Sequence, residues 1–319
     1  MRRVLPVLAL TVLGLGWQSG ATAQANAERL DYGLHPREIA PSVWVIEGAV
    51  QDFSKANGCN IINTGFITSP EGTVVINTGV SRLYGEQQRR AIQEVTPAPV
   101  QQVVNLNLHP DYFFGNQAWA DRTLVGLSGT IEGQQREGKA YEDNLYRLCG
   151  DWMKGSVSTP ARQALQPGAG VLGAHDLLWL RLSGHTSDDL VLIDRTAKVM
   201  FAGGLVFMNR VPTAPHANID QWRNSLQELQ RLVKTHEVEW IVPSHGPVHQ
   251  GAQGIAQTLD WLTWIDHTFA AAAQRGQTLG EVMRSSIPAR FQAWAAMPDE
   301  YLRTVTYLYP GYELAAFDR

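Results

Sequence analysis

The stretch Val100-Gln101-Gln102-Val103-Val104-Asn105-Leu106-Asn107-Leu108-His109-Pro110-Asp111-Tyr112 holds the pattern on which the rest of the chain can be aligned. An apolar run, Val100 to Leu106, reads as a strand, and a polar loop carrying a histidine and a carboxylate follows it at once. The arrangement recurs twice. Leu177 to Leu182 is followed by Ser183-Gly184-His185-Thr186, and Trp240 to Val242 by Pro243-Ser244-His245-Gly246. Ligand sites in α/β proteins gather on loops beyond the carboxyl ends of strands. Three histidines and one carboxylate delivered this way suit a zinc-like ion.

Working outward, Val43 to Ile46, Ile61 to Ile67, Thr73 to Ile76, Leu190 to Ile193 and Val199 to Ala202 also read as strands. Residues 82–95 and 130–149 read as helices. Trp222, Leu226, Leu229 and Val233 form an apolar stripe behind the capping residues Asn218 and Asp220. Ile255, Leu259, Leu262 and Phe269 mark a further helix, and residues 276–319 carry helical composition without a strand signal. Strands in groups with helices between them predict a single α/β sandwich domain over residues 26–275, followed by a helical extension over 276–319. Trp261 and Trp264 are helix-spaced and are expected in the core.

Composition narrows the function. The 319 residues carry 26 basic and 30 acidic side chains, a net charge of -4, without basic runs, which argues against nucleic-acid binding. Two cysteines are too few for a zinc ribbon, so histidine and carboxylate must dominate any metal site. Arg2 and Arg3 precede an apolar run from Val4 to Gly16 and the A-x-A sites ending at Ala23 and Ala25. Residues 1–25 therefore read as a signal peptide, too short to span a membrane, and no later stretch is long enough. The expected address is periplasmic or secreted. An oxidising compartment would let Cys59 and Cys149 pair, although sequence sets no distance between them. A phosphate-binding glycine loop, a G-x-S-x-G elbow and a Cys-His nucleophile pair are all missing.

The order of segments over residues 40–250 resembles the metallo-β-lactamase fold superfamily. The resemblance rests on Ile76-Asn77-Thr78-Gly79, Asn107 to Asn116, Ser183 to Thr186, Phe201 to Phe207 and Pro243 to Gly246. Pro212 to Asn218 and Tyr146 to Gly155 look most like an exported branch, the quinoprotein relay system zinc metallohydrolases, relatives of the sulfur-oxidation metallohydrolases. It implies a four-layer αββα sandwich with a metal cleft at one edge of its sheets. It also implies hydrolysis of an ester, thioester or amide, and a setting beside periplasmic quinoprotein dehydrogenases. Matched residue by residue, the family's His-x-His-x-Asp-His motif stands here as Asn107-x-His109-x-Asp111-Tyr112. The bridging carboxylate position holds Gly204, and Asn77 stands for the Asp of the Asp-Thr-Gly turn.

Asn107 offers a neutral amide, Tyr112 ligates only as phenolate, and Gly204 has no side chain. The expected site is therefore degenerate. It holds at most one zinc ion on His109, Asp111, His185 and His245, with Asp111 as the base that activates water. Asn77 and His216 are expected to line the cleft. The competing expectation is a non-catalytic protein that keeps the fold and binds a small molecule.

Overall fold

The computed structural model describes residues 30–317, so the expected signal peptide lies outside the described residues. The account below is of the unit that begins at Tyr32. Two sheets face each other. The first runs in sequential order: β1 (Arg37–Ala40), β2 (Val43–Ile46), β3 (Thr64–Ser69), β4 (Gly72–Ile76), β5 (Val100–Val104), β6 (Thr123–Gly126) and β7 (Gln163–Ala164). Its first four strands are antiparallel, and the pairs from β4 to β7 are parallel.

The second sheet holds β8 (Gly168–Leu172), β9 (His175–Leu182), β10 (Asp189–Asp194), β11 (Val199–Phe207), β12 (Trp240–His245) and β13 (His249–Gln250), again side by side in sequence order. Only β11 and β12 pair in parallel.

Helix α1 (Arg82–Val95) crosses from β4 to β5. Next come α2 (Pro110–Phe113), which continues into a 3-10 turn, Phe114–Trp119, and the long α3 (Ser128–Cys149). Helices α4 (Ile219–Thr235) and α5 (Gln253–Gln274) follow, then α6 (Leu279–Met283), α7 (Ala289–Gln292) and α8 (Asp299–Phe317).

Three apolar layers hold these elements apart as four. Between the sheets, Val45, Ile67, Ile76 and Val104 meet Leu190, Leu192 and Phe201. Outside the first sheet, Phe66, Val75 and Val103 pack on Ile92 and Trp119. Outside the second, Val191, Ile193 and Met200 pack on Trp222, Leu226 and Leu229 of α4 and on Ile255, Leu262 and Phe269 of α5. The αββα sandwich is thus the fold of this chain. The predicted stripe on α4 is the buried face of that helix, and the Asn218 side chain caps it by accepting the Gln221 N–H. Trp261 is buried and Trp264 packs beside it.

The extension shares this outer core. Val282, Phe291, Tyr301, Val305 and Tyr309 are buried in the same cluster as α4 and α5. Among the described residues, no helix is long and apolar enough to cross a membrane.

The strand ends differ from the sequence expectation in ways that matter for the site. β5 stops at Val104, because Asn105 and Asn107 turn their side chains to the loop beneath. β12 runs on through Pro243 to His245. Proline interrupts the ladder to β11, yet Phe207 and His245 pair again beyond it. His245 is therefore the last residue of a strand, not the first of a loop.

Candidate functional site

The loops after β5, β9 and β11 and the end of β12 converge on one cleft of about 470 Å³. His109, Asp111, His185, His216 and His245 all line it. Asn77 does not, which corrects the sequence expectation. It sits buried under the site with φ 58°, and its Oδ1 accepts the Leu106 N–H. It braces the loop that carries His109.

Hydrogen-bond partners fix the protonation of His245, His109 and His216. His245 Nδ1 lies 2.8 Å from the Ile61 carbonyl and must donate to it, which leaves a lone pair on Nε2. That nitrogen is 3.4 Å from Asp111 Oδ2. His109 Nε2 is 2.9 Å from His216 Nδ1, and His216 Nε2 is 3.0 Å from Glu137 Oε2. A carboxylate only accepts, so a neutral His216 donates through Nε2 and its Nδ1 accepts from His109 Nε2–H. The Tyr141 hydroxyl donates to the same Glu137 oxygen at 2.6 Å. Sequence reasoning missed Glu137 and Tyr141. They lie four residues apart on α3, and only its docking reveals them.

His185 is positioned by the turn that precedes β10. Gly184 has φ 132°, and a side chain there would enter the Trp222 backbone at 2.2 Å. Asp189 Oδ2 accepts the His185 and Thr186 N–H groups at 3.1 and 3.0 Å. The ring lies among His109, Phe207 and Trp222, and its Nε2 is buried without a hydrogen-bond partner. Asp188 accepts the Gly129 N–H at the start of α3.

The three unusual positions are settled into other work. Asn107 is fully buried. Its Nδ2 donates to Asp189 Oδ1 at 2.6 Å and its Oδ1 accepts the His109 N–H at 3.0 Å, so neither amide atom is free for a ligand. The Tyr112 hydroxyl is buried and unpartnered. Burial, then the Asp111 charge, pushes it well above the ordinary phenol range. A Cβ on Gly204 would lie 2.0 Å from His185 Nδ1, so the imidazole occupies the space a carboxylate at 204 would need.

Burial dominates the electrostatics. Asp111 is pushed up to about 6, chiefly by desolvation. His109 and His245 are held well below the usual imidazole value by burial and by neighbouring positive charge. Glu137 is raised by burial but lowered more by Tyr141, Arg136 and His216, and ends below the ordinary range.

Asp111 therefore opposes folding once ionised. Its folded pKa lies above the unfolded 3.8, so the penalty is nil below pH 4, grows between 4 and 6, and is complete above. Asp111→Asn is expected to stabilise the protein by up to about 3 kcal/mol at pH 7 and by nothing at pH 4. Urea unfolding of both proteins at the two pH values checks this. An equal difference at both would show that Asp111 titrates normally. The buried histidines act in the opposite sense, losing stability as pH falls through 6.5, and both proteins carry them.

The metallo-β-lactamase superfamily model matches residues 57–245, more than half of the chain. This chain belongs to that superfamily. Solved relatives agree on the fold. A metallo-β-lactamase from Pontibacter korlensis aligns with TM-score 0.56 and 22% identity over 72% of this chain and 99% of its own. The metallo-β-lactamase IND-7 aligns with TM-score 0.58 and 17% identity over 73% of this chain and 100% of its own. The enzyme FIM-1 from Pseudomonas aeruginosa, in a mono-zinc form, gives TM-score 0.56 and 16% identity over 73% and 96%. A curated relative, the acyl-coenzyme A thioesterase MBLAC2 of Gallus gallus, is 31% identical over 75 residues, 23% of this chain. The chain spans about a quarter, 27%, of that relative's length.

Superfamily membership implies zinc, so the donors can be tested against it. His109 spends Nε2 on His216, Asn107 and Tyr112 offer no donor, and position 204 is filled by His185. Among the described residues, no three His, Cys, Asp or Glu side chains gather as a metal-binding group. This arrangement does not fit a two-ion centre.

Proposed function

We propose that this chain is a superfamily member whose hydrolytic metal centre has given way to a buried acid–base cluster, and that its cleft binds a small carbonyl-containing molecule. The observation that carries the reading is the His109–His216–Glu137 chain of hydrogen bonds, which uses the nitrogen a ligand would need. The cluster offers a bound carbonyl a carboxyl that keeps its proton up to about pH 6, Asp111, and a lone-pair acceptor, His245 Nε2. It offers no activated nucleophile. Arg2, Arg3 and the apolar run after them, with the Cys59–Cys149 disulfide, support export to the periplasm. The Pro212 to Asn218 segment supports a setting beside quinoprotein dehydrogenases.

A second reading is favoured by the orphaned His185 Nε2. With His245 and Asp111 it would hold one zinc ion if these side chains drew together, and such an ion would supply an acidified water for ester, thioester or amide hydrolysis. Elemental analysis of the purified mature protein, with assays on nitrocefin, aryl esters and an acyl thioester, separates the two. The first reading expects no stoichiometric metal and no turnover that a chelator abolishes. About one equivalent of zinc with chelator-sensitive hydrolysis would overturn it.

A further inference from the structure

We propose that His249 is a pH-sensitive cap on helix α5. Its protonation in mild acid loosens the first turn of that helix and, through Thr258, the Phe207 ring on which His185 and His245 pack. The inference does not depend on what the cleft binds.

The passage from β13 into α5 shows why a histidine is needed. The residue that precedes the helix is Ala252, which makes no side-chain capping bond, so the first N–H groups need an acceptor from elsewhere. The His249 ring supplies one. Its Nε2 accepts the Gly254 N–H at 3.1 Å, and its Nδ1 donates to the Pro247 carbonyl at 3.1 Å. An acceptor on one nitrogen and a donor on the other define the neutral ring. A Cβ on Gly254 would lie 2.6 Å from His249 Cε1, so glycine is what lets the ring approach. A proton on Nε2 removes the acceptor and puts positive charge at the positive end of the helix dipole.

The capped turn is tied to the cleft. Thr258 Oγ1 accepts the Phe207 N–H at 3.0 Å, and its proton is shared between the Gly254 and Phe207 carbonyls at 2.9 and 3.1 Å. Gln257 exchanges two hydrogen bonds with Asn209, at 3.0 and 3.2 Å. The Phe207 ring packs on those of His185 and His245, with centroids 5.7 and 5.0 Å away.

Burial holds the His249 ring below the ordinary imidazole value, against the pull of the Pro247 carbonyl. Around it, the chain after β2 brings Glu47, which accepts the Val248 N–H and pairs with Arg37. Glu239 precedes β12, Arg210 follows β11 and lies 3.7 Å from Asp52, and Asp260 on α5 pairs with Arg290. None of these charges contributes to the shift. Because the folded value lies below the unfolded 6.5, the cap is complete above pH 6.5 and is lost as pH falls below it.

Amide hydrogen exchange on the full mature chain, corrected for the intrinsic pH dependence and referred to Leu226 in α4, tests this. Protection of the Gly254 amide is expected to fall about tenfold between pH 7.5 and pH 5, with the Phe207 amide following. His249→Gln keeps an acceptor that does not titrate, so its protection should be equal at the two pH values. His249→Phe removes the acceptor and should be poorly protected at both. Should the Phe variant fail to fold, the parent and His249→Gln decide the matter. Constant protection in the parent, or a fall that persists in His249→Gln, would overturn the cap. A fall at Gly254 that leaves Phe207 unchanged would overturn its link to the cleft.

Discussion

Cys149→Ser is expected to lower the stability of the protein by roughly 4–5 kcal/mol. Cys59 and Cys149 are 90 residues apart and joined by a disulfide, with Cα atoms 5.7 Å apart. Opening the bond frees a long loop in the unfolded chain, and the entropy of that loop grows with its length. Both sulfurs lie in a small satellite core with Val80, Phe113, Phe114 and Leu145, so the native state also loses packing. Denaturant midpoints with and without dithiothreitol check the claim. The oxidised parent should fall to the variant's midpoint on reduction, and the variant should not respond. A variant as stable as the oxidised parent would show that the bond contributes nothing. Because α3 ends at Cys149 and carries Glu137 and Tyr141, the same variant should also loosen the hydrogen-bond chain to His109.

Asn107→Asp is expected to cost on the order of 3 kcal/mol or more at pH 7, although it exchanges one amide nitrogen for an oxygen. The Asn107 amide donates to Asp189 Oδ1 at 2.6 Å with both side chains buried. The substitution puts two carboxylates at that distance, and they can coexist only by sharing a proton. One of them then has a raised pKa, so the loss should shrink as pH falls through the acid range. Asn107→Ala provides the comparison. It removes the donor without adding charge, and its cost should not vary with pH in the same way. Unfolding curves at pH 5 and pH 8 suffice, and a penalty independent of pH would mean that Asp189 is not the partner that matters.

The fold was legible because its signals are local. The apolar runs of β4, β10 and β11 bury every residue, and continuous apolar runs are what buried strands leave in a sequence. The α4 stripe and its Asn218 cap are equally local. Strands β7 and β13 are two residues each and mostly exposed, so they carry no pattern to read. The site was half legible. His109, Asp111, His185 and His245 follow strand signals, and the structure gathers them at one cleft. His109 and His216 are 107 residues apart, and nothing in either neighbourhood announces their hydrogen bond.

The contact between Gly204 and His185 has a consequence for how such a site can be altered. An aspartate at 204 and the present His185 ring cannot share the same space. Any route from this cluster to a carboxylate-bridged centre is therefore ordered. The His185 ring must first leave its place between Phe207 and Trp222. A substitution at 204 alone therefore displaces a neighbour as well as adding a charge, so the two positions change as a pair.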